Sequence, residues 1–216
     1  MTNHLLDRTC NLLINRVPQS EKTAGFNTNV RKGIKAVAKT LVEKEQNFIN
    51  SGSNANFKGG QSRVAIPVTL PPNTIEWYYT FSASRDQALI KKTAEQLQLG
   101  KELTKLLVKA SGAGWIAGKA TNIAVDNLTQ PPGSDYCDIV LLDQENRSLF
   151  LNKVEYRHYP VGSRSNLKSG VVKLTDFNQG TWYLGIRNPD IWTGINTVVQ
   201  IVAVVLEEEI VMEQAE

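Results

Sequence analysis

The chain has 216 residues, of which 41% are apolar and 21% charged, and its net charge is +3. That composition excludes a disordered chain and a membrane-spanning bundle, and the length allows one large domain with a helical appendage but not two full enzyme domains. The charge is unevenly placed, because residues 1–60 carry nine Lys/Arg against four Asp/Glu, while residues 205–216 carry five Glu and no base.

Such asymmetry marks a basic surface for an acidic partner, an acidic tail that pairs with the protein's own basic helices, or simply solvated helix faces. The bases alternate with apolar residues at helical spacing, which favours the last. No nucleic-acid motif is present and the basicity is slight, so the expected partner is a protein or a second copy of the chain, with anionic lipid as the alternative and nucleic acid disfavoured. Cys10 and Cys137 lie far apart and at no metal-ligand spacing, which indicates neither a disulfide framework nor a metal site. The opening "MTNHLLDRTCNLLINR" lacks the basic start and apolar core of a secretory signal. This points to a cytoplasmic protein, or to a secreted one whose signal has been removed.

In chain order, Leu5, Leu6, Cys10, Leu13 and Val17 recur at three- to four-residue intervals and predict a first helix, which "VPQSEK" ends. After Thr28 or Asn29 as cap, Val30, Ile34, Val37, Ala38, Leu41 and Phe48 form a second apolar stripe among Arg31, Lys32, Lys35 and Lys39. Residues 1–50 therefore read as N-terminal helices. The Gly-, Ser- and Asn-rich stretch 51–62 reads as a linker, and 63–206 as the main domain.

That domain opens on "VAIPVTL" and "TIEWYYTFS", whose alternation predicts strands with one buried face; Pro67 places the first at a sheet edge, and "PPN" turns the chain between them. Ser84 and Gln87 have the spacing of a capping box, and helical periodicity then runs over about 85–125 as an insertion. Strands resume at "CDIVLLD", "SLFLNKVEYRHY", "GVVKLTDF", "GTWYLGIRN" and "NTVVQIVAVVL", separated by "QEN", "PVGSRSNLKSG", "NQG" and "PDIWTG", before an acidic tail at 207–216. The last strand is apolar almost throughout, so it is covered on both faces, one of them by helices. The fold class is α+β, mainly β: an antiparallel sandwich of jelly-roll type with N-terminal helices and a helical insertion, because no strand–helix–strand alternation is present.

The stretch "SGAGWIAGKAT" at 111–121 imitates a phosphate-binding loop, but Ala120 stands where the metal-binding hydroxyl belongs and the preceding residues are helical rather than a strand. Two other readings follow. Ala110, Gly114 and Gly118 form a small-residue face for close packing, or Trp115, Ile116 and Lys119 contact a membrane surface, the alternative in which a membrane-associating or toxin-like protein uses the helical insertion or the basic N-terminal helices.

Catalysis has no motif behind it: His4 and His158 stand alone, and no nucleophile-and-base pattern accompanies them. Asp135, Asp138, Asp143 and Glu145 lack calcium-loop spacing and read as turn formers. Neither cofactor nor metal is expected, and the chain reads as non-enzymatic. The candidate ligand-binding residues are Trp192 and Arg187, at and beside the turn "NPDIWTGIN", and Arg164 in the basic stretch 162–170. For Trp192 the favoured reading is a plug over the sandwich end, since tryptophan is usually buried.

Across 64–206 the order of pieces resembles the GOLD domain of Golgi cargo receptors: an aromatic-rich strand pair, an apolar strand closing on Asp ("DIVLLD"), and a Gly-x-aromatic strand ending in Asn ("GTWYLGIRN"). Small secreted prepeptidase-like sandwiches share similar features. The resemblance implies a protein- or lipid-interaction module without catalysis. The helical insertion and N-terminal helices lie outside that pattern, and no family binding residues carry over.

Overall fold

The computed structural model describes residues 28–57, 59–111 and 123–214. Ala36–Glu207 form one compact unit. The described part of the other unit comprises residues 28–35 and 208–214, in which Lys35 Nζ lies 3.2 Å from Glu209 Oε1.

Among the described residues eight strands form two four-stranded sheets. They are β1 (Thr28–Ile49), β2 (Arg63–Thr69), β3 (Thr74–Ser84), β4 (Cys137–Leu142), β5 (Tyr159–Leu167), β6 (Ser169–Leu174), β7 (Thr181–Arg187) and β8 (Ile195–Gln214). The sheet orders are β1-β8-β3-β6 and β2-β7-β4-β5. First pairs with last, second with seventh, third with sixth and fourth with fifth. This nested pairing is the jelly-roll order, and it confirms the expected antiparallel sandwich.

The inter-sheet core follows from period-two alternation. Trp77, Tyr79 and Phe81 of β3 and Val199, Ile201 and Ala203 of β8 meet Ile66, Val68, Leu184, Ile186, Ile139 and Leu141 of the other sheet. The opposite face of β8 is also apolar, as expected, because two helices cover it. Val202 and Val204 pack with Leu99, Leu103 and Leu107, and Val198 packs with Ile90 and Ala94. These helices are α2 (Gln87–Gln96) and α3 (Leu99–Ser111), which follow α1 (Gly52–Phe57) and precede α4 (Gln144–Leu151). The helical insertion is thus present at 87–111, with a short 3-10 turn at Val125–Asn127.

Several expectations are corrected. The second N-terminal helix is instead the long strand β1. Its apolar residues serve two faces, Ala36 and Ala38 toward the α3 cluster and Leu41 and Val42 toward the inter-sheet core, and pairing with β8 satisfies a backbone that a helix would leave open at the sheet edge. Lys39 Nζ meets Glu207 Oε1 at 2.6 Å, so this base and this acid pair between strands rather than helices. The expected linker contains α1. β3 is buried on both faces rather than one, since Glu76, Tyr78, Thr80 and Ser82 are also enclosed. The capping box gives way to Asp86, whose carboxylate accepts the Ala88 amide at 2.8 Å.

The "SLFLNKVEYRHY" strand is replaced by α4 and the irregular stretch after it. Asp143 caps that helix by accepting the Asn146 amide at 2.8 Å, and Phe150 packs on Val140 and Leu142. Gly185 permits the approach, because a Cβ there would lie 2.8 Å from the Phe150 ring. The expected loop at 160–170 is mostly β5, an edge strand whose largely open faces carry no apolar alternation to read. β2 is the other edge of the same sheet, as Pro67 requires. The first N-terminal helix falls outside the described residues.

Candidate functional site

One end of the sandwich is built by the connection from β7 to β8. Asn188, buried, donates from Nδ2 to the Thr193 carbonyl at 2.7 Å and accepts the Asp190 amide at 2.9 Å. Asp190 Oδ1 accepts the amides of Trp192 at 2.7 Å and Thr193 at 3.1 Å, and its Oδ2 meets Arg85 Nη2 at 2.5 Å. The Trp192 and Thr193 amides, helped by Arg85, hold the Asp190 carboxyl below the usual carboxylate range. The turn is tied to α1 as well, through Ser53 N–H to the Ile191 carbonyl at 3.4 Å and Asn54 Nδ2 to the Trp192 carbonyl at 2.9 Å. Gly194 lies against Phe48, where a Cβ would come within 2.5 Å of the ring.

This bracing presents side chains rather than burying them. Trp192 is 73% exposed and Ile191 56%, and Phe48, which lies against Gly194 of the same turn, is also exposed. Trp192 is therefore no plug, which corrects that reading.

Beside the turn lies an open pocket of about 430 Å³ lined by Ser53, Ser62, Arg63, Lys153, Arg187 and Ile191 among others. Its floor follows from strand register: Arg63 of β2 stands directly opposite Arg187 of β7, which stands opposite Asp138 of β4. Arg187 Nε donates to Asp138 Oδ2 at 2.7 Å, and the Asn166 amide donates to Asp138 Oδ1 at 2.7 Å. Arg63 Nη1 donates to the Phe150 carbonyl at 2.7 Å, and its guanidinium lies 5.1 Å over the Phe150 ring and 5.7 Å over that of Tyr156. Burial draws the Arg63 guanidinium below its ordinary value, with Tyr156 opposing the shift and Arg187 adding to it.

Of the residues singled out from sequence, Arg187 thus joins the turn that carries Trp192. Arg164 does not: it sits on β5, at the sheet edge opposite β2, and its Nη1 donates to the carbonyls of Val161 and Ser163. Trp115, Ile116 and Lys119, with Gly114 and Gly118 of the glycine-rich stretch, fall outside the described residues, as do His4 and Cys10. Arg63 and Lys153 escaped sequence reasoning. Nothing local marks an arginine at the start of an edge strand, and only the ladder brings it opposite Arg187.

Three of the carboxylate candidates are structurally occupied. Asp135 pairs with Arg85 at 3.3 Å, Asp138 with Arg187, and Asp143 caps α4. His158 Nδ1 lies 3.1 Å from Ser163 Oγ, but that hydroxyl donates to the Tyr159 carbonyl at 2.7 Å and accepts the Leu141 amide at 3.0 Å. The hydroxyl is thus held by two backbone groups besides the imidazole. Burial, reinforced by Asp138, pushes the Cys137 thiol up to about 12, far from a reactive thiolate. Among the described residues, no cluster of three or more His, Cys, Asp or Glu could hold a metal ion, and no helix is long and apolar enough to cross a membrane. No family model and no curated protein matches the chain.

Proposed function

We propose that the protein is a non-enzymatic interaction or assembly module that binds a protein partner through the sandwich end formed by residues 188–194 and α1. The observation that carries this reading is Trp192, 73% exposed on a turn fixed by side-chain bonds from Asn188, Asp190 and Asn54. A large aromatic held in water by a pre-ordered backbone loses little entropy on docking, and tryptophan is the residue type most often found at the energetic centre of interfaces. Ile191 and Phe48 extend the apolar surface, and Arg85, Asp190 and Arg187 supply a polar margin. This is the layout of an apolar anchor with a polar rim.

The GOLD-like order of residues 64–206 points to a role without catalysis. Jelly rolls serve as capsid, lectin and cupin domains alike, so topology by itself selects none of these. The test is quantitative affinity capture from the native source with the wild-type chain and with Trp192→Asp, followed by reconstitution of any differential partner from purified components. The expected result is a partner retained by the wild type, lost by the variant and bound directly in vitro. Equal capture by both folded proteins overturns the assignment to this surface.

A further inference from the structure

The pocket beside the turn has a charge pattern that the protein's own contacts leave unbalanced. Arg63 and Arg187 are direct cross-strand partners, an arrangement in which like charges repel. One carboxylate, Asp138, answers them, and of the two arginines it pairs with Arg187. Arg63 is not swung away to relieve the repulsion. Its bond to the Phe150 carbonyl and its position over the Phe150 and Tyr156 rings hold the guanidinium in place. Arg187 in turn is oriented by Asp138, which is nearly fully buried. Both forks are pre-positioned beside the same open pocket, whose lining also includes Lys153.

Building on the proposed interaction surface, we infer that the Arg63–Arg187 pocket receives a single carboxylate, presented by an acidic side chain of the protein partner whose apolar neighbours dock on Ile191 and Trp192. The surroundings select the ligand. The paired guanidinia attract an anion, and a planar carboxylate matches the guanidinium fork. A phosphate dianion would bring a second negative charge close to the buried carboxylate of Asp138. The apolar part of the recognition is supplied by the adjoining turn, whose Ile191 borders the same pocket.

The experiment is an NMR titration of the full chain, following the arginine Nε–H signals, with acetate as probe, inorganic phosphate as a second arm, and chloride at matched ionic strength as control. Acetate is expected to give saturable shifts of the Arg63 and Arg187 signals that chloride does not reproduce. Arg63→Gln should weaken acetate binding by at least about tenfold, the scale of one lost charge-assisted hydrogen bond, and Arg63→Lys should lose most of the binding despite keeping the charge. Shifts that fail to saturate below roughly 100 mM, where charges farther apart than about 10 Å are screened, or that persist in folded Arg63→Gln, overturn the site. Phosphate binding tighter than acetate overturns the carboxylate assignment. Trp192→Ala, which leaves the pocket intact, separates this inference from the wider reading. Acetate binding without Trp192-dependent partner capture refutes only the interaction surface, and capture without acetate binding refutes only the carboxylate site.

Discussion

The outer faces of the two sheets each carry a buried carboxylate bonded to a cation, and they use it differently. On the β3–β6 sheet Glu76 Oε2 lies 2.7 Å from Lys173 Nζ, with the carboxylate side chain 2% and the lysine 19% exposed. The Tyr78 hydroxyl donates to Glu76 Oε1 at 2.8 Å, and burial, then Glu76, push that hydroxyl's pKa up, so it stays a donor. α3 and Ile123 cover the same face. On the β2–β7 sheet Asp138 meets Arg187 at the same 2.7 Å, but the arginine is 42% exposed and a second arginine stands opposite it. A charge pair closed over by a helix and a tyrosine is held for structure. One that is left half open, with an extra cation beside it, is available to a ligand.

Breaking the closed pair should cost most. Lys173→Met removes the ion-pair partner of the buried Glu76 carboxylate and is expected to lower unfolding free energy by roughly 3 kcal/mol in urea denaturation. Adding Glu76→Gln to that variant should recover more than half of the loss, because the desolvated charge is then gone. Full additivity of the two losses would show that the face does not behave as a closed pair.

The helix beside the open site gives a smaller, pH-dependent effect. The Asn146 amide, against an opposing burial effect, holds the Asp143 carboxyl below its usual range. A depressed carboxyl stabilises the fold at pH values above its unfolded pKa near 4, and the contribution vanishes as pH falls through the lower folded value. Asp143→Ala should therefore cost about 1 kcal/mol at pH 7 through the lost cap, and the gap to wild type should narrow below about pH 3. A gap that widens on acidification contradicts the sign.

The open pair should barely register in stability. For Arg63→Gln, relief of the repulsion from Arg187 offsets the lost bond to the Phe150 carbonyl, and the change is expected within about 0.5 kcal/mol at low ionic strength. A loss comparable to that of Lys173→Met would make Arg63 a structural residue and remove the contrast between the faces. Smallest of all is Trp192→Ala. Its side chain is mostly in water, so the thermal midpoint should stay within about 2 °C while partner binding is lost.

Much of the sandwich was legible because its signals are local. Alternation in "TWYLGIR", the doubly apolar run of β8 and the edge-marking Pro67 each follow from period two and the missing proline donor. β1 was not legible, since Val37, Ala38 and Leu41 also satisfy a helical period and only the unpaired edge of β8 decides between the two. β5 was hidden by its exposure, and α4 by an apolar composition that fits a strand until Asp143 is recognised as its cap. Of the site, Trp192 and Arg187 stood out as an aromatic and a base at a turn, whereas Arg63 carried no signal.

The sequence by itself determined that this is a mainly β sandwich interrupted by helices, with an aromatic turn near the end of the chain. Hydrophobic period and turn chemistry are properties of neighbouring residues. The tertiary structure alone decided that Trp192 faces water, that Lys39 meets Glu207 between strands, and that Arg63, Arg187 and Asp138 form one row. Strand register is a long-range choice, set by which faces the whole sheet must bury, and it is register that placed two like charges side by side.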